Sequence, residues 1–224
     1  MQSRIRQRDL VPEHILDTPI TIVGAGAIGS WTALCLAKMG FSFLEVFDDD
    51  MVDEVNLSSQ MFSPSQIEQP KVFALKDIVK AFTGVEIKAV QKRFDLDSRG
   101  EGAVVISAVD SMVSRRAIYR SVISSYSKFL IDPRMGAESA LLYVCKPHDP
   151  SDRERYEKTF YSDQDAVQER CTAKATIYTA NMLSGLVCKT VRDVLVGPYK
   201  WHSLWSIKDD DFVAFPSVVG GTSP

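Results

Sequence analysis

Gly24, Gly26 and Gly29 stand in the spacing G-x-G-x-x-G, directly behind the apolar run Pro19-Ile-Thr-Ile-Val23 and ahead of a helical run from Ser30 to Met39. A strand that turns into a helix is the context in which this spacing holds phosphate. The first glycine permits the tight turn, the second lets backbone approach phosphate oxygens, and the third lets helix and strand pack closely. Amide N–H groups at the helix start then face the anion. Asp48 follows the next strand, Ser42 to Phe47, where a carboxylate accepts hydrogen bonds from ribose hydroxyls. These features predict a nucleotide and do not separate ATP from NAD, since both carry an adenosine ribose.

Further motifs separate them. Asp48 and Asp50 are followed by Asn56-Leu57, Gln60, Pro70-Lys71 and, after the run Ala103 to Ala108, by Asp110 with Arg115 five residues on. Arg6-Gln7 lies in an Arg-rich arm at the start. In this order and register the sequence resembles the ThiF/MoeB family of ubiquitin-activating-type adenylyltransferases, clearly over residues 3 to 135 and loosely in the helix after Cys171. The resemblance implies ATP and Mg²⁺, and adenylation of the C-terminal carboxylate of a small ubiquitin-like or sulfur-carrier protein by a homodimer. It places Lys71 against the α-phosphate, Asp110 on the Mg²⁺, Asn56 on phosphate oxygens and Asp48 on the ribose. Gly24, Gly26, Gly29, Asp50 and Gln60 complete the nucleotide site, and Arg6 reaches the terminal phosphates from the partner subunit. Relatives carry a thioester-forming cysteine near Cys171. Beside Arg170 and at a helix start, that thiol is expected to be acidified. The attacking carboxylate is already ionised at neutral pH, so no general base is needed.

Residue type alone permits plainer roles. Lys71 could be a solvated lysine, Asp110 a helix cap, Arg115 half of a structural ion pair, Arg6 part of a disordered arm and Cys171 a structural thiol. Ser59 also departs from the family's N-L-x-R-Q, because serine has neither the charge nor the forked donors of arginine. Three other readings therefore stand beside the first. One is a dehydratase-like enzyme acting on threonylcarbamoyladenosine in tRNA, which shares the fold and ATP site. Another is a nucleotide-binding scaffold that has lost turnover. The third is an NAD-dependent oxidoreductase, which accounts for the glycine loop and Asp48 but not for Asn56, Lys71 and Asp110.

The elements that must position these residues alternate strand and helix. After the first strand–helix–strand unit come a helix from Lys71 to Ala81, with Val72, Leu75, Ile78 and Val79 on one face, and a strand over Val85 to Val90. A buried strand over Ala103 to Ala108, a helix from Ser111 to Ser125 and a strand over Lys128 to Ile131 follow. This order predicts an α/β, Rossmann-like, doubly wound and mainly parallel sheet over residues 19–136, behind an N-terminal arm at 1–18 that packs through Leu10, Val11, Ile15 and Leu16. Residues 137–224 are expected to form a smaller C-terminal lobe. It opens with a strand over Ala140 to Cys145, continues through a charged crossover loop from His148 to Arg170, and carries a long helix from Ala173 to Val194.

Bulk properties exclude other classes. The 224 residues are 45% hydrophobic and 25% charged, a soluble globular mix. A net charge of −3 offers no excess of cations to displace counterions, which argues against general nucleic-acid binding. Cys35, Cys145, Cys171 and Cys188 form no C-x-x-C pair, so no zinc knuckle is written here. Neither a secretion signal nor a membrane span is legible, and a cytoplasmic location is the expectation.

Overall fold

The computed structural model describes residues 5–98, 100–136, 139–161 and 176–206, with backbone alone for 204–206. Seven strands form one sheet in the order β3-β2-β1-β4-β5-β6-β7. Strands β1 (Ile20–Val23), β2 (Leu44–Phe47), β3 (Lys88–Val90), β4 (Val104–Ser107) and β5 (Phe129–Gly136) run parallel. Strands β6 (Ser139–Cys145) and β7 (His202–Ser206) are antiparallel additions. The β-branched runs Ile20-Thr-Ile-Val and Val104-Val-Ile suit a sheet covered on both faces, and every residue of β1, β2 and β4 is buried.

Alternation sorts the side chains into two cores. Ile20, Ile22, Leu44, Val46, Val104, Ile106 and Ile131 join the cluster beneath helices α1 (Ala27–Met39), α2 (Lys71–Thr83) and α5 (Ile177–Val196). Val23, Phe47, Val105 and Leu130 point the other way, toward α3 (Met112–Ile123) and α4 (Pro150–Glu157). Each fully buried aliphatic side chain removes enough apolar surface to contribute about 1.5–3 kcal/mol before chain entropy is counted. Gly40 ends α1 at φ 107°, where only glycine is unstrained, and α3 starts on a Ser111 hydroxyl that accepts from Ser114 N–H.

Several expectations change. Strand β5 does not stop at Ile131 but runs on through Asp132-Pro133-Arg134 to Gly136, paired there with β6. The strand expected to open a second lobe, Ala140 to Cys145, is thus the sixth strand of the same sheet. The charged stretch after His148 is not all loop. Asp149 accepts from Ser151 and Asp152 N–H, Pro150 occupies the first turn, and α4 follows with Asp152 and Tyr156 buried. In the arm Val11, Ile15 and Leu16 are buried around a 3₁₀ turn (Glu13–Ile15), whereas Leu10 is exposed. The long helix is described from Ile177 and ends at Val196. No helix among the described residues is long and apolar enough to cross a membrane.

Candidate active site

The parallel strands end together, and the sheet order reverses direction between the neighbours β1 and β4. Ligands of open α/β sheets bind at that edge. The glycine loop spans it. Gly24, at φ 99°, donates its N–H to Phe47 O at 2.8 Å. A Cβ on Gly24 would collide with the Ala108 carbonyl, and one on Gly29 with the Gly24 carbonyl. Gly26 differs, because a Cβ there would meet nothing within 4 Å. The loop therefore needs two glycines for its own packing and keeps open space in front of the third, which is the shape a phosphate requires.

Asp48 stands directly after β2 and is half-buried. Its Oδ2 accepts from Ala25 N–H at 2.6 Å and its Oδ1 from Asp50 N–H at 2.8 Å. Burial pushes its carboxyl up from the ordinary value, opposed by those two N–H groups and by the Lys71 charge. Lys71, at the first position of α2, is buried, and its Nζ meets Asp50 Oδ2 at 2.7 Å. It is not the solvated lysine that residue type alone allows.

Between Asp50 and Lys71 the chain makes a closed loop. Met51 and Pro70 form an antiparallel bridge, and Val52 N–H reaches Gln69 O at 2.8 Å. Asn56 lies in a 3₁₀ turn whose Asp53 N–H its Oδ1 accepts at 3.0 Å. The loop hangs on α1, since Trp31 Nε1 donates to Ser59 O at 3.1 Å and Met61 N–H to Ser30 Oγ at 3.2 Å. Gln60 Oε1 and, at the end of β4, Ser107 Oγ are buried without a hydrogen-bond partner among the described residues. Such atoms are uncommon in native folds, and a bound polar ligand would satisfy them.

Asp110 follows β4 and is exposed, with no ion pair among the described residues. It does not cap α3, because Ser111 does. An exposed carboxylate two residues past Ala108, whose carbonyl lies against Gly24, is an oxygen donor of the kind a hard divalent cation takes. Arg6 is exposed on the turn over residues 5–10, and nothing among the described residues of this single chain brings it to the glycine loop. Cys171 lies outside the described residues.

Arg115 does form a structural ion pair, with Asp132. Asp132 and Arg134 were not singled out from the sequence. No apolar alternation runs through the Asp-Pro-Arg triplet to mark them. The Gly24–Gly29 loop, Asp48, Asp50 and Lys71 are thus brought into direct contact, and the Asn56–Gln60 loop is anchored beside them.

Comparison with known proteins gives the family and the fold. The sulfur carrier protein ThiS adenylyltransferase of Escherichia coli (strain K12) is 26% identical over 141 residues, 60% of this chain and 56% of that protein. The ubiquitin-like modifier-activating enzyme 5 of Culex quinquefasciatus is 30% identical over 123 residues, 47% of this chain and 31% of that enzyme. The chain therefore spans less than two thirds of either relative. Among solved structures, E. coli MccB with ATP superposes with a TM-score of 0.71 at 14% identity, over 96% of this chain and 68% of that one. E. coli tRNA N6-threonylcarbamoyladenosine dehydratase, TcdA, superposes with a TM-score of 0.64 at 19% identity, over 85% and 92%. The model of the ThiF family matches residues 4–208, a span that holds every one of the motifs above, and the chain belongs to that family.

Proposed function

We propose that the protein uses MgATP to adenylate the C-terminal carboxylate of a small ubiquitin-like or sulfur-carrier protein. The observation that carries this reading is the buried Lys71 ammonium, paired with Asp50 and acting through its charge on Asp48, the acid that holds Ala25 of the glycine loop. A dinucleotide-binding oxidoreductase needs the loop and an acid after the second strand, but has no use for a buried lysine at that edge. A carboxylate oxygen of the acceptor attacks the α-phosphorus, the bond to the bridging oxygen breaks, and pyrophosphate leaves. Negative charge grows on both halves, so fixed cations lower the barrier and no proton need move. In this scheme Lys71 faces the α-phosphate, Asp48 the ribose, and Asn56 and Gln60 the phosphate oxygens. Asp110 would hold a Mg²⁺, which when bound neutralises the departing pyrophosphate. Arg6 of a second copy would add a cation in a homodimer. Where a thioester follows, the Cys171 thiolate attacks the acyl carbon and AMP departs.

ATP–pyrophosphate exchange with candidate carrier proteins tests the reading. Exchange is expected with a carrier ending in a free carboxylate, and its loss in Lys71→Ala and in Asp110→Ala. Exchange that survives both substitutions removes the site assignment. The second reading, activation of a carboxylate on modified tRNA, draws on the near-complete coverage of TcdA by this chain. The net charge of −3 weighs against it. A tRNA gel-shift that responds to ATP would favour it over a protein acceptor.

A further inference from the structure

Asp132 is fully buried, and both of its oxygens are taken. Oδ1 faces Arg115 Nη1, while Oδ2 accepts from Arg134 Nε at 2.8 Å and from Tyr156 OH at 2.9 Å. Burial, reinforced by the Asp132 charge, pushes the Tyr156 hydroxyl well up, so it remains a donor. Arg134 also donates to Thr159 O and Thr159 Oγ1, each at 2.8 Å. The carboxylate is thus locked by β5 and α4 and can serve as a fixed point.

Arg115 also donates to backbone, with Nη1 shared among acceptors. Nη1 reaches Ser107 O at 3.0 Å and Pro133 O at 3.1 Å, and Nη2 bonds Val109 O. The guanidinium therefore grips the chain on either side of Ala108, whose carbonyl lies against Gly24. Val109 immediately precedes Asp110. A buried ion pair contributes little net stability as a rule, because desolvation offsets attraction. Its geometry is what distinguishes this one, since a planar fork holds several carbonyls in fixed directions, whereas a lysine's three donors rotate about one nitrogen.

We infer that Arg115, oriented by Asp132, is a positioning residue that sets the Val109–Asp110 turn and so aims the Asp110 carboxylate at the cation on the polyphosphate. The inference rests on the MgATP reading above.

Calorimetric titration of ATP at graded Mg²⁺ tests it without any acceptor, on the full chain and on Arg115→Lys, Asp110→Asn and the double variant. Arg115→Lys is expected to raise the Mg²⁺ concentration at half-effect roughly tenfold, the lower end of what loss of an outer-shell partner costs a metal site. In the Asp110→Asn background the same change should add less than about twofold, because its route through Asp110 is already cut. Asp132→Asn, which frees the fork without removing it, should shift the Mg²⁺ curve in the same direction and serves if Arg115→Lys does not fold. A lower melting temperature with an unmoved Mg²⁺ curve overturns the inference, as does an equal shift in both backgrounds. Absence of Mg²⁺-dependent ATP binding in the unsubstituted chain overturns the MgATP reading itself and the inference with it.

Discussion

Lys71 and Asp50 form a lopsided pair. Nζ lies 2.7 Å from Oδ2, yet the lysine side chain is 7% exposed and the aspartate 66%. The Lys71 N–H also donates to Asp50 O at 3.0 Å, so backbone fixes where the lysine starts. The ammonium is confined to the inner side of the edge, while its partner can turn into solvent. A phosphate oxygen can therefore replace Asp50 at the ammonium without burying an unpaired acid.

Unequal consequences follow for the two partners. Lys71→Ala should lower pyrophosphate exchange roughly 100-fold or more, the usual cost of removing a donor aimed at developing charge. Asp50→Asn leaves the buried ammonium with an amide oxygen in place of a carboxylate. It should lower folding stability by about 1–3 kcal/mol, while exchange falls far less than in Lys71→Ala. Exchange rates beside urea denaturation of both variants check this, and equal losses of exchange in the two would refute the division of roles.

The glycines of the loop should separate folding from binding. Gly24→Ala places a methyl against the Ala108 carbonyl at φ 99°, and should destabilise by about 2 kcal/mol or more. Gly26→Ala meets no protein atom within 4 Å and should melt close to the unsubstituted chain. Its methyl would occupy the open cradle, so ATP affinity should fall at least tenfold. Thermal denaturation and ATP titration of the two variants supply the comparison. A Gly26→Ala protein that binds ATP normally would mean that the cradle lies elsewhere.

Trp31 offers a test of the loop that carries Asn56 and Gln60. Trp31→Phe keeps most of the packing and removes the donor to Ser59 O, a bond worth about 1 kcal/mol. With that tether gone, ATP affinity should weaken about fivefold while the melting temperature falls by only about 2–4 °C. If affinity holds and only melting falls, the tether serves folding alone.

How much of this was legible in the sequence depended on how local the signal was. The glycine loop could be read because its requirement is steric and confined to six residues. Asp48 followed from its place after a strand. Lys71 became readable only through the order of motifs, since nothing about a lysine opening a helix says that it is buried. The strand expected from Lys128 stops at Ile131, ahead of Asp132-Pro-Arg134, yet Pro133 pairs with Leu142 in β5–β6. That pairing lies beyond the last residue of β4, where β5 has become an edge and a missing N–H costs no ladder bond. Helix α4 was hidden for another reason, because its buried residues are Asp152 and Tyr156 and leave no apolar period to detect. The network around Asp132 therefore appears only when three distant segments are brought together.

Asp48 ties the site to pH, and the sign follows from burial. Its folded pKa is raised above the unfolded value of about 4. The folded state thus holds this proton more readily than the unfolded chain does. Stability linked to the protonated form is fully present below the unfolded pKa and is lost as pH rises through the folded one. At neutral pH the ionised carboxylate is a cost that the N–H groups of Ala25 and Asp50 offset only in part. Asp48→Asn removes the titration, so its stability relative to the unsubstituted chain should climb as pH rises from below 4 through the carboxylate range. Urea denaturation of both proteins at stepped pH measures that difference, and a difference that shrinks with rising pH would mean the hydrogen bonds outweigh burial. The same variant should bind ATP more weakly at neutral pH, because an amide is a poorer acceptor for ribose hydroxyls than a carboxylate. A gain in stability joined to a loss of affinity is the expected signature of a charge kept for its ligand.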